Sequence, residues 1–154
     1  MHPTIENIRK TRTWLLENIT DLSIDQLNKT PKGFNNNIIW NIAHLIAAQQ
    51  GLCYVRASLQ PVVEEKYFIA FKSGTRPVSF VDVTEFEKIK ELLFTSLDQL
   101  EIDLDNNIFK DYTIFKTRYG VEINDINDCI AFLTYHEGMH TGVISQLKKL
   151  VVST

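Results

Sequence analysis

The sequence predicts an all-α protein, a four-helix bundle with long crossover connections. Four segments repeat apolar residues three or four positions apart, the spacing of one helix face. Two of the connections between these segments are long and rich in aromatic residues. Long connections let consecutive helices run in the same direction, so neighbours along the chain are not all expected to be antiparallel.

The first two helices are predicted from apolar spacing and capping residues. The first covers residues 4–20, and its apolar stripe contains Ile5, Ile8, Arg12, Leu15 and Ile19. A polar stretch follows and ends in turn residues at 30–33. The second helix begins near the asparagine run at 35–37, whose side chains can cap free N–H groups, and continues to residue 59. It is apolar on almost every side, which predicts a helix covered by its neighbours.

The second half of the chain holds both long connections. Residues 61–81 are expected to form an irregular crossover packed over the bundle, because prolines and Gly74 interrupt a cluster of aromatic residues. Thr84 and Glu87 match a capping box, which predicts the start of the third helix. A second connection covers 103–123, and the last helix runs from 124 or 125 to 151.

Composition narrows the class of protein. The chain has 154 residues, 44% hydrophobic and 23% charged, which predicts one globular domain over residues 1–154 rather than a disordered chain. The net charge of −3 and the scattered basic residues argue against nucleic-acid binding. No apolar run is long enough to cross a bilayer, and the N-terminus has no signal-peptide pattern, so we expect a cytoplasmic protein with no membrane partner. Cys53 and Cys129 lie in apolar segments and are expected to be small core residues.

Two of the four histidines share one face of the last helix. His136 and His140 are four positions apart, so their imidazoles stand one turn above the other and can reach one metal ion. Their neighbours on that face are core-type residues, so the pair is expected to point inward. Two core histidines hydrogen-bonded to backbone or water would show the same pattern, and the pair alone does not decide between these interpretations.

The same segment matches H-E-x-x-H, the zinc-protease signature. A metzincin would need glycine at position 143 and histidine at 146, where this chain has Val143 and Gln146. Other zincins take a third ligand from well downstream, but no Asp, Glu or His follows His140. The protease interpretation therefore fails for lack of a ligand.

His44 is the one histidine inside another helical segment. Trp40 lies one turn before it, and the small residues Ala47, Ala48 and Gly51 leave room for a cavity on the same face. A buried histidine with small neighbours for helix packing is the alternative interpretation.

The pattern W-x-x-x-H-L in the second helix, followed by H-E-x-x-H-x-G in the fourth, resembles the DinB-like family, which is related to bacillithiol- and mycothiol-dependent S-transferases. The likeness extends over the whole chain. It implies a four-helix bundle of up-down-down-up topology, a homodimer, and a metal triad formed by His44, His136 and His140.

The resemblance also implies a chemistry. Three imidazoles leave a coordination position open, as in catalytic zinc sites. The implied protein is a metal-dependent transferase acting on a low-molecular-weight thiol, or a hydrolase-like metalloenzyme, with a small-molecule substrate. The expected cofactor is one divalent ion, zinc before nickel or iron.

Two questions stay open from the sequence. Glu137, between the two ligands of the last helix, could be a catalytic general base, a partner that orients a ligating histidine, or a solvated residue. The protein could also be a non-catalytic bundle that dimerises or binds a metal or a small ligand without turnover.

Overall fold

The computed structural model describes residues 2–153, and most of them are helical. Four helices are long: α1 (Pro3–Glu17), α3 (Ile38–Gln49), α5 (Val83–Asp105) and α6 (Ile126–Val152). Two are short: α2 (Ile24–Asn28) and α4 (Glu65–Phe71). The strands β1 (Phe115–Lys116) and β2 (Glu122–Ile123) form a small antiparallel hairpin in which Phe115 pairs with Ile123. The all-α class is therefore confirmed.

The four long helices pack around a shared interior. Helix α1 contacts α5 and α6, and α3 contacts the same two helices. The stripe of α1 is buried as predicted, including Arg12. Two apolar clusters fill the interior, one around Ile42 and Leu93 and the other around Ile8 and Leu133. The up-down-down-up order of helix directions stays a prediction.

Capping residues set the starts of the helices that carry the site. Asn37 accepts a hydrogen bond from the backbone N–H of Trp40, as the asparagine run predicted. Asp125 accepts from two free N–H groups at the start of α6. The predicted capping box at Thr84 is wrong, because α5 begins one residue earlier and its cap is Asp82, which accepts from the Glu85 N–H.

Three short elements were not predicted. The polar stretch after α1 contains α2, which starts with a complete capping box between Ser23 and Gln26. The crossover over 61–81 is not irregular throughout, since α4 forms around the buried Tyr67. The second connection holds the hairpin. Elements this short depend on contacts with the rest of the protein, which a local sequence pattern does not reveal.

The chain continues beyond the end of α3 as a helix with a different winding. Residues Gln50–Tyr54 form a turn of π-helix and Val55–Ala57 a turn of 3-10 helix, and Ser58 ends the run with a φ of 59°. A π-turn widens the spacing of backbone hydrogen bonds and is frequent at functional sites. Here it carries Gly51 and Leu52 to the wall of a pocket.

The two cysteines lie in the interior, as expected. Cys53 and Cys129 are both buried, with their sulfur atoms 3.7 Å apart as free thiols. Within residues 2–153, no helix has the length and apolar character needed to cross a membrane.

Candidate metal centre

Three histidines from two helices lie close together. His44 comes from α3, and His136 and His140 come from α6. One nitrogen from each ring lies within 4.8 Å of the others. A tetrahedral zinc ion, with Zn–N bonds of about 2.0–2.1 Å, needs nitrogens roughly 3.4 Å apart. The three rings are thus placed for one ion after a small inward movement, as the spacing of the pair on α6 and the family resemblance together implied.

The ring of His44 is fixed on two sides. Its Nδ1 lies 2.7 Å from the carbonyl oxygen of Phe71, so Nδ1 carries the proton and donates it. The ring also stacks on Trp40, with 4.7 Å between centroids and 9° between the planes. This tautomer leaves the Nε2 lone pair of His44 available to a metal.

The ring of His140 is oriented in the same way by a side chain. Its Nδ1 lies 2.8 Å from Oδ1 of Asn41. The amide nitrogen of Asn41 donates to Oδ1 of Asn36 and to the carbonyl of Asn37, so the amide oxygen is the atom that faces the histidine. Nδ1 of His140 is therefore the donor, and its Nε2 is free to bind a metal.

His136 has no such partner. Its Nδ1 is buried and makes no hydrogen bond to any of the described residues. A buried polar nitrogen without a partner is costly, and a metal ion or an ordered water would remove that cost. With two rings oriented through Nδ1 and a third left unsatisfied, the donor set fits a divalent ion bound by neutral imidazoles.

The environment keeps all three imidazoles neutral. Burial, together with the charges of the neighbouring His140 and His44, lowers the pKa of His136 to about 3. Burial, with the charges of His44 and Arg118, lowers the pKa of His140 to about 4. Burial also lowers the pKa of His44, against the hydrogen bond to Phe71. Neutral imidazole is the form that binds metal ions, so the site is already deprotonated near pH 7.

Glu137 is buried in an ion pair with Arg12. Arg12 Nη2 lies 2.6 Å from Oε1, and Nε donates to both carboxylate oxygens. The guanidinium also donates to the carbonyl oxygens of Leu93 and Leu45. Glu137 is 2% exposed, which excludes the solvated alternative. Both of its oxygens are occupied by Arg12, so acting as a base would require disrupting the pair, and a catalytic role for Glu137 stays a prediction.

A pocket opens beside the histidines. Its volume is about 550 Å³, and His44 and His136 form part of its wall. Ala47, Ala48 and Gly51 line it too, which confirms the cavity predicted beside His44. Segments far apart in the sequence supply the remaining wall: Leu52, Val55, Arg56, Phe68, Lys72, Ser73, Thr113, Phe115, Thr117, Arg118, Tyr119, Phe132 and Met139.

Several residues of the site were not foreseen. Asn41 lies one turn before Leu45 in an otherwise apolar part of the helix, and a lone amide in such a segment was the available signal. The Phe71 carbonyl gave no signal in the sequence, because every residue has a backbone carbonyl. Arg12 stood out as a charge on an apolar stripe, which requires a buried partner.

Comparison with known proteins supports the interpretation of the site. The sequence model of the DinB superfamily matches residues 7–144 of this chain. That range includes the three histidines, Asn41 and the Arg12–Glu137 pair. No curated protein matches the sequence.

Proposed function

The chain belongs to the DinB superfamily, and from this premise we propose that it is a metal-dependent enzyme whose single divalent ion is held by His44, His136 and His140. The convergence of three neutral imidazoles, two of which line an open pocket, is the observation that carries the proposal. Zinc is the expected ion, since imidazole nitrogen is among its preferred ligands, and nickel and iron are alternatives.

The arrangement of the donors favours an open site over a closed one. A structural zinc site takes four protein ligands. Among the described residues, only these three histidines form a group of possible ligands. A divalent ion bound there would supply a Lewis acid that lowers the pKa of a coordinated water or thiol toward neutrality.

The substrate of the proposed reaction is a low-molecular-weight thiol together with an electrophile, which makes the enzyme an S-transferase. The surrounding chain has three tasks in this reaction. Trp40, Phe71 and Asn41 hold two ligand rings in place, the small residues of α3 leave room beside the rings, and the aromatic wall excludes water from the sulfur.

Cobalt substitution tests the ion and the thiol together. Metal-free protein loaded with Co²⁺ should show the absorption of a cobalt ion with nitrogen ligands, and adding a small thiol such as cysteine should produce a sulfur-to-cobalt charge-transfer band. The same protein loaded with zinc should then accelerate the reaction of that thiol with a chromogenic electrophile. A cobalt spectrum that ignores thiols and small anions would overturn the transferase proposal.

One observation favours a second function, a non-catalytic module that binds a metal or a small ligand. No Asp or Glu lines the described pocket. Glu137, which follows His136 directly in the sequence, forms an ion pair with Arg12. Such a module would bind metal without thiol-dependent turnover, so the cobalt and turnover measurements separate the two functions. In either case we expect a homodimer, which the sedimentation of the purified protein would test.

A further inference from the structure

The pocket beside the histidines has a strongly one-sided charge. Arg56, Lys72 and Arg118 line it, and no aspartate or glutamate does. The chain as a whole has 19 acidic and 16 basic residues, so composition does not explain this bias. The three cations come from separate segments: the 3-10 turn after α3, the end of α4 and the β1–β2 connection.

None of these three cations has an acidic partner within residues 2–153. Several other basic side chains of the protein are paired with carboxylates, as Arg9 is with Glu6, Asp98 and Glu101. A charge with no counter-ion at the edge of a partly apolar pocket is free to pair with a charge brought by a ligand.

Each cation instead lies over an aromatic ring of the same pocket. The guanidinium carbon of Arg56 is 4.2 Å from the centroid of Phe115, and that of Arg118 is 5.5 Å from the centroid of Tyr119. Nζ of Lys72 is 5.9 Å from the centroid of Phe68. Cation–π contacts hold the charged groups along the wall while leaving their hydrogen-bond donors unused.

The position of Arg56 is reinforced by the backbone. Its carbonyl oxygen accepts a hydrogen bond of 2.8 Å from the Thr113 N–H, which ties the 3-10 turn to the segment before β1. Arg118 is the cation most closely coupled to the histidines, since its positive charge contributes to lowering the pKa of His44, His136 and His140. An anion bound by Arg118 would therefore lie within electrostatic reach of the metal ligands.

Much of the remaining wall is apolar. Phe68, Phe115 and Phe132 are half-buried, and the apolar side chains of Leu52, Val55 and Met139 also line the pocket. A volume of about 550 Å³ lies within the usual range for small-molecule pockets. A ligand that complements this wall has an acidic group at one end and an apolar body at the other.

We propose that this pocket binds a small organic anion, with its acidic group held by Arg118, Arg56 and Lys72 and its apolar body packed on the phenylalanine rings. This proposal adds the chemical class of one substrate to the proposed function. It rests on that function only where the bound anion is called a substrate. Recognition of the charge itself depends on the three cations and not on the metal.

A matched pair of probes tests the charge preference. 4-Phenylbutyrate and its neutral amide, 4-phenylbutanamide, have the same apolar body and differ in the charge of the head group. Isothermal titration calorimetry should show the acid binding about tenfold or more tightly than the amide, because each charge-assisted hydrogen bond is stronger than a neutral one. The measurement is made on the full protein both with zinc and after chelation, because a carboxylate can also bind zinc directly.

Charge-neutralising variants assign the preference to the cations. Arg118→Gln, Arg56→Gln and Lys72→Gln should each reduce the preference for the acid several-fold, and the triple variant should abolish it. Arg76→Gln is the matched control, since Arg76 is exposed and lies outside this pocket, yet its substitution changes the net charge equally. If chelation unfolds the protein, the comparison of the five variants with zinc bound still isolates the contribution of each cation.

Three results would overturn the proposal. The acid and the amide could bind equally, or neither could bind detectably. Arg76→Gln and Arg118→Gln could reduce the preference for the acid equally, or the preference could depend on zinc and be insensitive to the three cations. Metal content is measured on the same samples. A protein that selects the acid but binds no zinc would refute the proposed function and leave this inference standing.

Discussion

Oδ1 of Asn41 lies 2.8 Å from Nδ1 of His140 and joins the start of α3 to a ligand on α6. Asn41 is fully buried, and its amide nitrogen is held by Asn36 and by the backbone of Asn37. The oxygen therefore cannot turn away without losing two hydrogen bonds. This contact fixes both the orientation and the tautomer of His140 before any metal arrives.

We expect Asn41→Ala to lower zinc affinity about 10- to 100-fold, the usual effect of removing a partner that orients a ligand. Asn41→Asp keeps the acceptor oxygen but loses the two amide donors, so it should retain more of the affinity than Asn41→Ala. Competition with a chromogenic chelator measures both variants, and melting curves show whether each is folded. Equal zinc affinity in a folded Asn41→Ala protein would show that the contact does not orient the ligand.

The histidines predict how the metal-free protein responds to acid. The pKa of His136 is about 3 and that of His140 about 4 in the folded protein, while unfolded histidine titrates near 6.5. Below about pH 6.5 the unfolded chain binds more protons than the folded one, so folding stability should fall from there down to about pH 3–4. Above pH 6.5 these groups should have no effect.

The same pKa values predict how zinc is lost. Because the folded site stays unprotonated to about pH 4, protons should not displace zinc while the fold is intact. Metal release and the loss of helical circular dichroism should therefore occur together as the pH is lowered. Release near pH 6 from a protein with an unchanged spectrum would contradict this prediction.

The pair of Arg12 and Glu137 predicts a large stability effect. Arg12 is fully buried and Glu137 nearly so, so Glu137→Gln would leave an uncompensated charge in the interior. We expect the free energy of unfolding to fall by about 3–5 kcal/mol. Urea denaturation measures it, and the double variant Arg12→Met/Glu137→Leu should recover much of the loss, because it removes both charges together.

A surface pair provides the control. Lys88 and Glu91 lie 3.0 Å apart on the exposed side of α5, and Glu91→Gln should change the free energy of unfolding by about 1 kcal/mol or less. Similar losses from Glu137→Gln and Glu91→Gln would show that the interior pair has no special role in stability.

The sequence was sufficient to predict the long helices and the His136–His140 pair because both depend on local spacing, whereas His44 was assigned to the cluster through the family resemblance. Apolar residues three and four positions apart define a buried face, and His136 and His140 share such a face by the geometry of the helix. The cavity beside His44 was predictable for the same reason, since Ala47, Ala48 and Gly51 follow it on one side of the helix.

The charged wall of the pocket could not be predicted in this way. Arg118 lies in a hairpin connection and Lys72 at the end of the short helix α4, and both reach the site through the tertiary placement of those segments. No local pattern fixes where a connection of this length packs. The partner of Arg12 was hidden for a related reason, because it lies 125 positions away in the sequence.

Removal of single histidines tests the triad directly. We expect His44→Ala, His136→Ala and His140→Ala each to lose most of the bound zinc, because two imidazoles hold an ion weakly. His2→Ala is the control, since His2 lies outside the cluster and should leave the metal content unchanged. Elemental analysis of untagged protein measures the zinc, and a parent-like content in His44→Ala would exclude His44 as a ligand.

The last prediction separates the pocket from the metal. Gly51 lines the pocket on the π-helical turn, and a Cβ there would lie 3.4 Å from Cε2 of Phe68, at the limit of ordinary contact. Gly51→Leu should therefore project a bulky chain into the cavity without touching the Nδ1 contacts of the ligands. We expect unchanged zinc content and loss of 4-phenylbutyrate binding by calorimetry. Gly138→Ala on the exposed side of α6 is the control, because a Cβ there meets nothing within 4 Å and should stabilise the helix by up to about 1 kcal/mol. If Gly51→Leu binds the probe as well as Gly138→Ala does, the ligand occupies another surface and the cavity beside His44 is not the binding site.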